Sequence, residues 1–539
     1  MKKIILIASI LFLLLPIVKG QETILNPVIP GFNPDPCIVR VGSDYYIVTS
    51  TFEWFPGIPI YHSKDLQNWT QLGHVLTRKS QLDLTGTSDS NGIFAPSITY
   101  HNGMYYVMYT VVREGINWPT KGYPNDIGTA TNPQGPWSEP VLINGLGFDP
   151  SLFIDGEKAY ILVRLFDHRK GKSSSPGIGI HEIDLKTLQP TGEPRFIYSG
   201  WNKQSAEGSK MIKKGDYYYL FTAEGGTGYG HYEAVARSRS VWGPYERAPE
   251  IFYSSKDNPK LPIQKAGHRT IFDTPEGEWY TTHLGSRPFT ERGNCTLGRE
   301  TFIQKVEWTA DGWPQLYKDK TEPKTTVIAP KGLKVKKQDN SVIMDNFNRD
   351  ALNVRYQLLR EPASEGWLSL SRNEGYLSLR GRHILGTLYD QSFVAQRVTS
   401  HNQEFETCLE FSPTNFRHSA GIACYYDSKH YYALGLTYDE DLKSTVLELT
   451  EVDKQYKELL DKKISIPNNQ KVYMKVVIDG YKLQFYYSLD HKQWNQAGSD
   501  CDFGKISDDY AGGFTGAITD YLLFSFSCTT KYSFDFVLV

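Results

Sequence analysis

A chain of 539 residues, with 22% charged residues and a formal net charge of -2, is long enough for more than one domain with its own core and lacks the basic excess of a nucleic-acid-binding surface. Six cysteines without a CxxC spacing exclude a disulfide scaffold and a zinc site. Aromatic residues make up 13% of the chain, a share that suits both β-strands and pockets for sugar-like ligands.

In chain order, residues 1–20 come first, "MKKIILIASILFLLLPIVKG". A lysine pair, an apolar run over 4–15 and a small-residue end predict a secretory signal peptide cleaved before Gln21. The mature protein is then exported, to a periplasm or beyond. The run is too short to span a bilayer comfortably and no later stretch approaches eighteen apolar residues, so no membrane span is expected.

From about residue 30 to 315 one pattern repeats: a short motif, an apolar stretch, a Gly or Asp turn and a Tyr-rich strand. Its copies begin "DPCIVRVGSDYYIVTS", "APSITYHNGMYYVMYT", "DPSLFIDGEKAYILVR", "EGSKMIKKGDYYYLFT" and "HRTIFDTPEGEWYTTH". Their first residues, Asp35, Ala95, Asp149, Glu207 and His268, recur at steps of 54 to 61 residues. The aromatic strand position follows ten residues later in four copies and eleven in the fifth (Trp279), which a turn longer by one residue would explain. Repeats of this length, built of short strands without helical periodicity, predict an all-β five-bladed propeller over 21–320. Equivalent positions at the heads of the first strands then converge on the central channel.

A single Asp-Pro in a turn is commonly structural, because Asp caps turns and Pro fixes φ. Three carboxylates in one repeat slot are different, because clustered like charges are costly unless a site uses them. Asp35, Asp149 and Glu207 are therefore the candidate catalytic groups.

"NPVIPGFNPDPCIVRVGSDYYIVTSTFEWFPGIPIYHSKDLQNW", "FAPS", "GFDPSLF", "AEGSKM" and "CTLGRETFIQKVEW" resemble glycoside hydrolase family 43, especially its two-domain β-xylosidases, over nearly the whole mature chain. The resemblance implies hydrolysis with inversion, in which one carboxyl activates water and another, about 6.5–9.5 Å away, protonates the leaving oxygen. It assigns Asp35 as general base, Glu207 as general acid and Asp149 as the group that orients the acid and keeps its pKa high. Arg299 in "LGRE" resembles the family's channel arginine; a surface pair with Glu300 is the plainer alternative. His268 resembles the histidine near the channel floor, with a satisfied core histidine as its alternative. Phe94 and Phe148 would wall the subsite for the non-reducing sugar, or else belong to blade core. Thr227, in "EGGTGYG", resembles a pocket loop; a phosphate loop would have to open a helix, and this stretch follows a Tyr-rich strand. Two departures stand beside the acids: Cys37 where serine is commoner, expected to be harmless packing, and "EGSKM" for "EGPHL", which places Lys210 within reach of the pocket rim.

A Lys, Pro and Thr-rich stretch over 321–340 reads as a linker. Beyond it, over 341–539, alternating strands such as "EFETCLEF", "HYYALGLTY" and "STVLELTEV", and a hairpin turning at Asp479-Gly480, predict a β-sandwich. The resemblance makes it concanavalin-like, with "GGFTGAITD" as a loop that carries Phe514 to the pocket mouth; inter-domain packing alone is the other use of Phe514. The cysteines Cys37, Cys295, Cys408, Cys424, Cys501 and Cys528 read as buried free thiols, with one or two C-terminal bridges as the alternative.

What the resemblance implies is an exported β-1,4-xylosidase acting on the ends of xylo-oligosaccharides. An α-L-arabinofuranosidase acting on arabinose-substituted xylan fragments, or dual activity, is the alternative. A non-catalytic carbohydrate-binding propeller would have no use for an acid and a base together. The chemistry requires no cofactor; oxygen ligands for calcium abound, though no loop has diagnostic calcium spacing.

Overall fold

The computed structural model describes residues 22–202, 206–318, 320–336, 343–525 and 534–537; the expected signal peptide and Cys528 lie outside them. Five antiparallel sheets follow one another in the first part of the chain, four of them four-stranded and the fourth in order five-stranded. Blade 1 runs Cys37–Val41, Asp44–Val48, Gly57–Ser63 and Thr70–Leu76; blade 2 opens on Gly92–His101, blade 3 on Ser151–Asp155, blade 4 on Glu207–Lys214 and blade 5 on Gln264–Asp273. Each first strand lies against the first strand of the next blade, and that of blade 5 lies against that of blade 1, so the ring closes.

The Tyr-rich repeat has a packing reason. Successive strand residues point to opposite faces, so each blade's second strand must satisfy two neighbours at once. Tyr105 joins Val48 and Ile60 in the core between blades 1 and 2, while Tyr106 joins Leu152 and Ile161 in the core between blades 2 and 3. Likewise Tyr218 packs toward blade 3 and Tyr219 toward blade 5. The fifth interface, between blades 5 and 1, buries Ile38, Ile47, Phe272 and Ile303.

Two details differ from expectation. Asp273 pairs with Trp279, so the blade 5 turn spans residues 274–278, three more than the two-residue turn between Val41 and Asp44, not one more. Residues 321–336 are not a free linker: Thr326–Ile328 pairs with Thr23–Leu25, and Val327 and Ala329 are buried in the interface between blades 5 and 1. The apolar residues inside a Lys- and Pro-rich stretch make it a strap across the ring's closure.

The second domain is a sandwich of two antiparallel sheets. Ile422, Leu434 and Leu447 from one sheet meet Leu409, Met474 and Phe485 from the other in a shared core. Its hairpin turns on Gly480 and Tyr481, since Asp479 pairs with Lys482, one residue later than expected; Gly480 adopts φ +61° there. Among the described residues the one α-helix is Asp508–Ala511, and no helix is long and apolar enough to cross a membrane. Cys37, Cys295, Cys408, Cys424 and Cys501 are free and buried.

The domains share a sheet. Trp54–Phe55, between the second and third strands of blade 1, pairs with Gln357–Leu359 of the sandwich. Trp54 is fully buried against Phe393 and Tyr425, with ring centroids 6.0 and 5.9 Å away. Replacing it with alanine leaves a cavity inside this junction, and large-to-small changes of this kind cost about 3–5 kcal/mol. Trp54→Ala is expected to lower the urea midpoint accordingly, and a cost below about 1 kcal/mol would show that the junction does not carry that energy.

Candidate active site

Counting back from each hairpin defines the channel slot. Asp35, Ala95 and Asp149 each stand six residues ahead of the last paired residue, Val41, His101 and Asp155; in blade 4 the residue six ahead of Lys214 is Gly208. Backbone geometry agrees in these blades, with φ +56° at Asp35, +20° at Ala95, +58° at Asp149 and +57° at Gly208; in blade 5 the residue six ahead of Asp273 is Gly267, and the positive φ of +48° falls one residue later, on His268. Glu207 therefore lies one residue upstream of the slot assigned to it from sequence. The register shift between Glu207 and Lys210 absorbs the offset, and the longer glutamate side chain still reaches the channel. Gly208 is required twice over, because a Cβ there would come within 2.9 Å of the His268 ring and φ is positive. Its amide donates to Asp149 Oδ2 at 2.9 Å. Non-glycine residues at positive φ are uncommon, and four of them, Asp35, Phe52, Asp149 and His268, gather at this cavity.

These residues line one cavity of about 260 Å³. All nine residues singled out from sequence reach it: the three carboxylates, with Phe94, Phe148, Thr227, His268, Arg299 and Phe514.

Asp35 is buried among donors. Ser50 Oγ donates to its Oδ2 at 2.6 Å and Arg299 NH1 to its Oδ1 at 3.0 Å. Burial alone would raise its pKa, but the Arg299 charge, the His268 ring and the Ser50 hydroxyl outweigh it and hold the carboxyl below its ordinary value. Asp35 stays ionised. His268 Nδ1 lies 3.6 Å from Asp35 Oδ1; burial lowers its pKa to about 3, so the ring is neutral, and its buried Nε2 has no hydrogen-bond partner among the described residues. It is not a satisfied core histidine.

The other two carboxyls behave oppositely. Burial raises Glu207, with Arg164 opposing and the Asp35 charge adding. Asp149 is raised well above its ordinary value by burial, then by the charges of Glu207 and Asp35. Three acids in one cavity thus divide into one held ionised and two that favour protonation, the separation of roles that acid–base chemistry on neutral substrates needs.

Arg299 makes no pair with Glu300. Its NH2 donates to the Phe514 carbonyl at 2.9 Å, while Glu300 pairs with Arg287 at 2.6 Å. Phe514 caps the cavity from the second domain, its ring stacked on Phe52 at 5.9 Å and edge-on to Phe94 at 5.8 Å. Phe94 and Phe148, 6.0 Å apart, belong both to the cavity wall and to the inter-domain apolar cluster. Lys210 does not reach the rim: it is buried at 7% exposure and does not line the cavity. Cys37 packs beneath blade 2, its thiol 3.4 Å from the Ile98 amide.

Phe52, Trp118, Arg164 and Gly226 also line the cavity and were missed. Arg164 did leave a signal, as the lone charge in the apolar strand "AYILVRLF". Trp118 opens the short 3-10 helix Trp118–Thr120, whose approach to the mouth depends on long-range folding. Among the described residues no group of three or more His, Cys, Asp or Glu is placed to hold a metal ion.

The chain is similar to known proteins along most of its length. Residues 24–314 match the family model for glycosyl hydrolases family 43, and residues 344–536 match the beta xylosidase C-terminal concanavalin A-like domain. The chain is 41% identical over 509 residues to a beta-xylosidase of Bacillus subtilis, covering 92% of this chain and 95% of that one. It is 38% identical over 440 residues to a non-reducing end alpha-L-arabinofuranosidase of Bacteroides ovatus, covering 81% and 80%. The crystal structure of a xylan beta-1,4-xylosidase from Bacillus halodurans superposes with a TM-score of 0.92 at 40% identity, covering 96% and 99% of the two chains. With a propeller matched over its length, a sandwich matched over its own and relatives aligned nearly end to end, the chain belongs to glycosyl hydrolase family 43.

Proposed function

We propose that this protein is an inverting, exo-acting β-1,4-xylosidase that releases xylose from the non-reducing ends of xylo-oligosaccharides. The observation that carries the reading is the division of its acids: Asp35 held ionised by Arg299 and Ser50, and Glu207 and Asp149 biased toward protonation, in one capped cavity. At about 260 Å³ the cavity is smaller than the roughly 300–1,000 Å³ typical of small-molecule sites. It suits one sugar ring better than a threaded chain, and Phe514 closes one side.

In this reading water attacks the anomeric carbon while its proton passes to Asp35. Glu207 gives its proton to the glycosidic oxygen, which takes the electron pair of the breaking C–O bond. Asp149, bonded to the amide beside Glu207, orients the acid's strand and disfavours its ionisation. Phe94, Phe148 and Phe52 offer apolar faces to the ring, and Thr227, His268 Nε2 and Arg299 offer polar groups to its hydroxyls. The steps use water and side chains alone, and no calcium is assigned a part. The leader-like sequence of residues 1–20 supports export, toward the polymer fragments such an enzyme would meet.

A second reading, α-L-arabinofuranosidase or dual activity, is favoured by the Bacteroides ovatus relative. The pentoses present similar hydroxyls, and the mechanism would be shared. Initial rates on aryl β-D-xylopyranoside and aryl α-L-arabinofuranoside separate the two. Faster cleavage of the xyloside is expected; faster cleavage of the arabinoside would move the enzyme to debranching.

Positioned acid–base groups contribute about 10²–10⁴-fold, so Asp35→Asn and Glu207→Gln are each expected to lose about that much kcat on xylobiose, measured below the onset of thermal unfolding because each change also removes the charge paired with a buried arginine. In Glu207→Gln an activated aryl leaving group should restore part of the rate, since it needs little protonation. Near-wild-type turnover in either variant would overturn the assignment. The pH profile of kcat/KM should be bell-shaped, with its acidic limb below the ordinary Asp value of 3.8 and its alkaline limb above the ordinary Glu value of 4.5. An acidic limb at or above that Asp value would show that Asp35 is not the base held ionised here.

A further inference from the structure

Arg164 is a cation placed against the group that must carry a proton. Its NH1 donates to Glu207 Oε2 in an ion pair in which both side chains are 12% exposed. The guanidinium is held from the other side as well. It lies over the Phe148 ring, 4.8 Å from the centroid, and over Phe166 at 5.0 Å, and NH2 donates to Ser175 Oγ at 3.0 Å. Stacked and bonded in this way it is a fixed fork, which a lysine could not reproduce.

That placement has two chemical consequences. Oε2 accepts a charge-assisted hydrogen bond, so the acidic proton is favoured on Oε1, the oxygen that the guanidinium does not hold. The positive charge also favours the carboxylate, against burial and against the Asp35 and Asp149 carboxyls that face Glu207. Arg299 acts on Glu207 in the same sense as Arg164, and Lys210 opposes the rise of the Asp149 carboxyl. His268, whose ring adjoins Gly208, is neutral.

We propose that Arg164 is a positioning residue for the acid: by holding Oε2 it keeps the transferable proton on Oε1, and its charge sets the alkaline limit of activity. This rests on the reading of Glu207 as the acid. Without such a clamp the buried carboxyl would stay protonated to higher pH, but in no single orientation.

The test is the pH dependence of kcat/KM for Arg164→Met and Arg164→Lys, on xylobiose and on 2,4-dinitrophenyl β-D-xylopyranoside. Methionine keeps apolar bulk beside Phe148 and Phe166 and removes the charge. Its alkaline limb on xylobiose is expected to rise by about one pH unit or more, because an opposite charge at this range is worth about 1–3 units. Its kcat on xylobiose should fall about tenfold, and the loss on the dinitrophenyl substrate, whose leaving group needs no proton, should be several-fold smaller. Lysine should return the limb toward wild type, because it keeps the charge, without restoring kcat on xylobiose. An unmoved limb in Arg164→Met, or equal losses on the two substrates, would overturn the proposal, since a residue that only shapes the wall predicts both. Loss of the alkaline limb in Glu207→Gln checks the acid separately: a limb that persists there overturns the acid assignment itself and is recognised without reference to Arg164.

Discussion

The Arg299 guanidinium ties the two domains together at the cavity itself. One arm bonds Asp35 at the head of blade 1 and the other bonds the Phe514 carbonyl in the sandwich. A buried charge must be paired and hydrogen-bonded, so Asp35, Arg299 and the capping loop stabilise one another. Breaking a buried pair of this kind costs about 3–5 kcal/mol, and here the same bond holds the carboxylate ionised and the lid in place.

The capping loop has other anchors that explain its composition. The Phe514 amide donates to Ser90 Oγ at 3.0 Å, and the Tyr426 hydroxyl to the Gly512 carbonyl at 3.0 Å. Gly298 and Gly516 approach so closely that a Cβ on Gly298 would lie 2.8 Å from the Gly516 Cα. Farther out, Lys265 of blade 5 pairs with Asp509 at 2.7 Å and Asp508 at 3.2 Å. The sandwich is thereby a structural wall of the cavity.

The ring supplies the opposite kind of constraint, repetition with local exceptions. Five equivalent interfaces make a rigid frame, and the five slot positions are where the repeat is broken by chemistry. A bulge in blade 4 lets an acid stand one residue out of register, and a glycine beside it leaves room for His268. These irregularities lie at the axis, where first strands come closest and each side chain is felt by several blades.

Much of this was legible in the sequence. The 54- to 61-residue steps, the Tyr-Tyr strands and the three carboxylate motifs determine a five-bladed all-β propeller and its candidate site, because strand alternation and repeat length are local properties of the chain. The tertiary structure alone decided the rest. The one-residue offset of Glu207, the partner of Arg299, the burial of Lys210 and the approach of Arg164 to Glu207, 43 residues away, depend on how blades and domains pack. A side chain's charge state is set by what surrounds it in space, and those neighbours are distant along the chain.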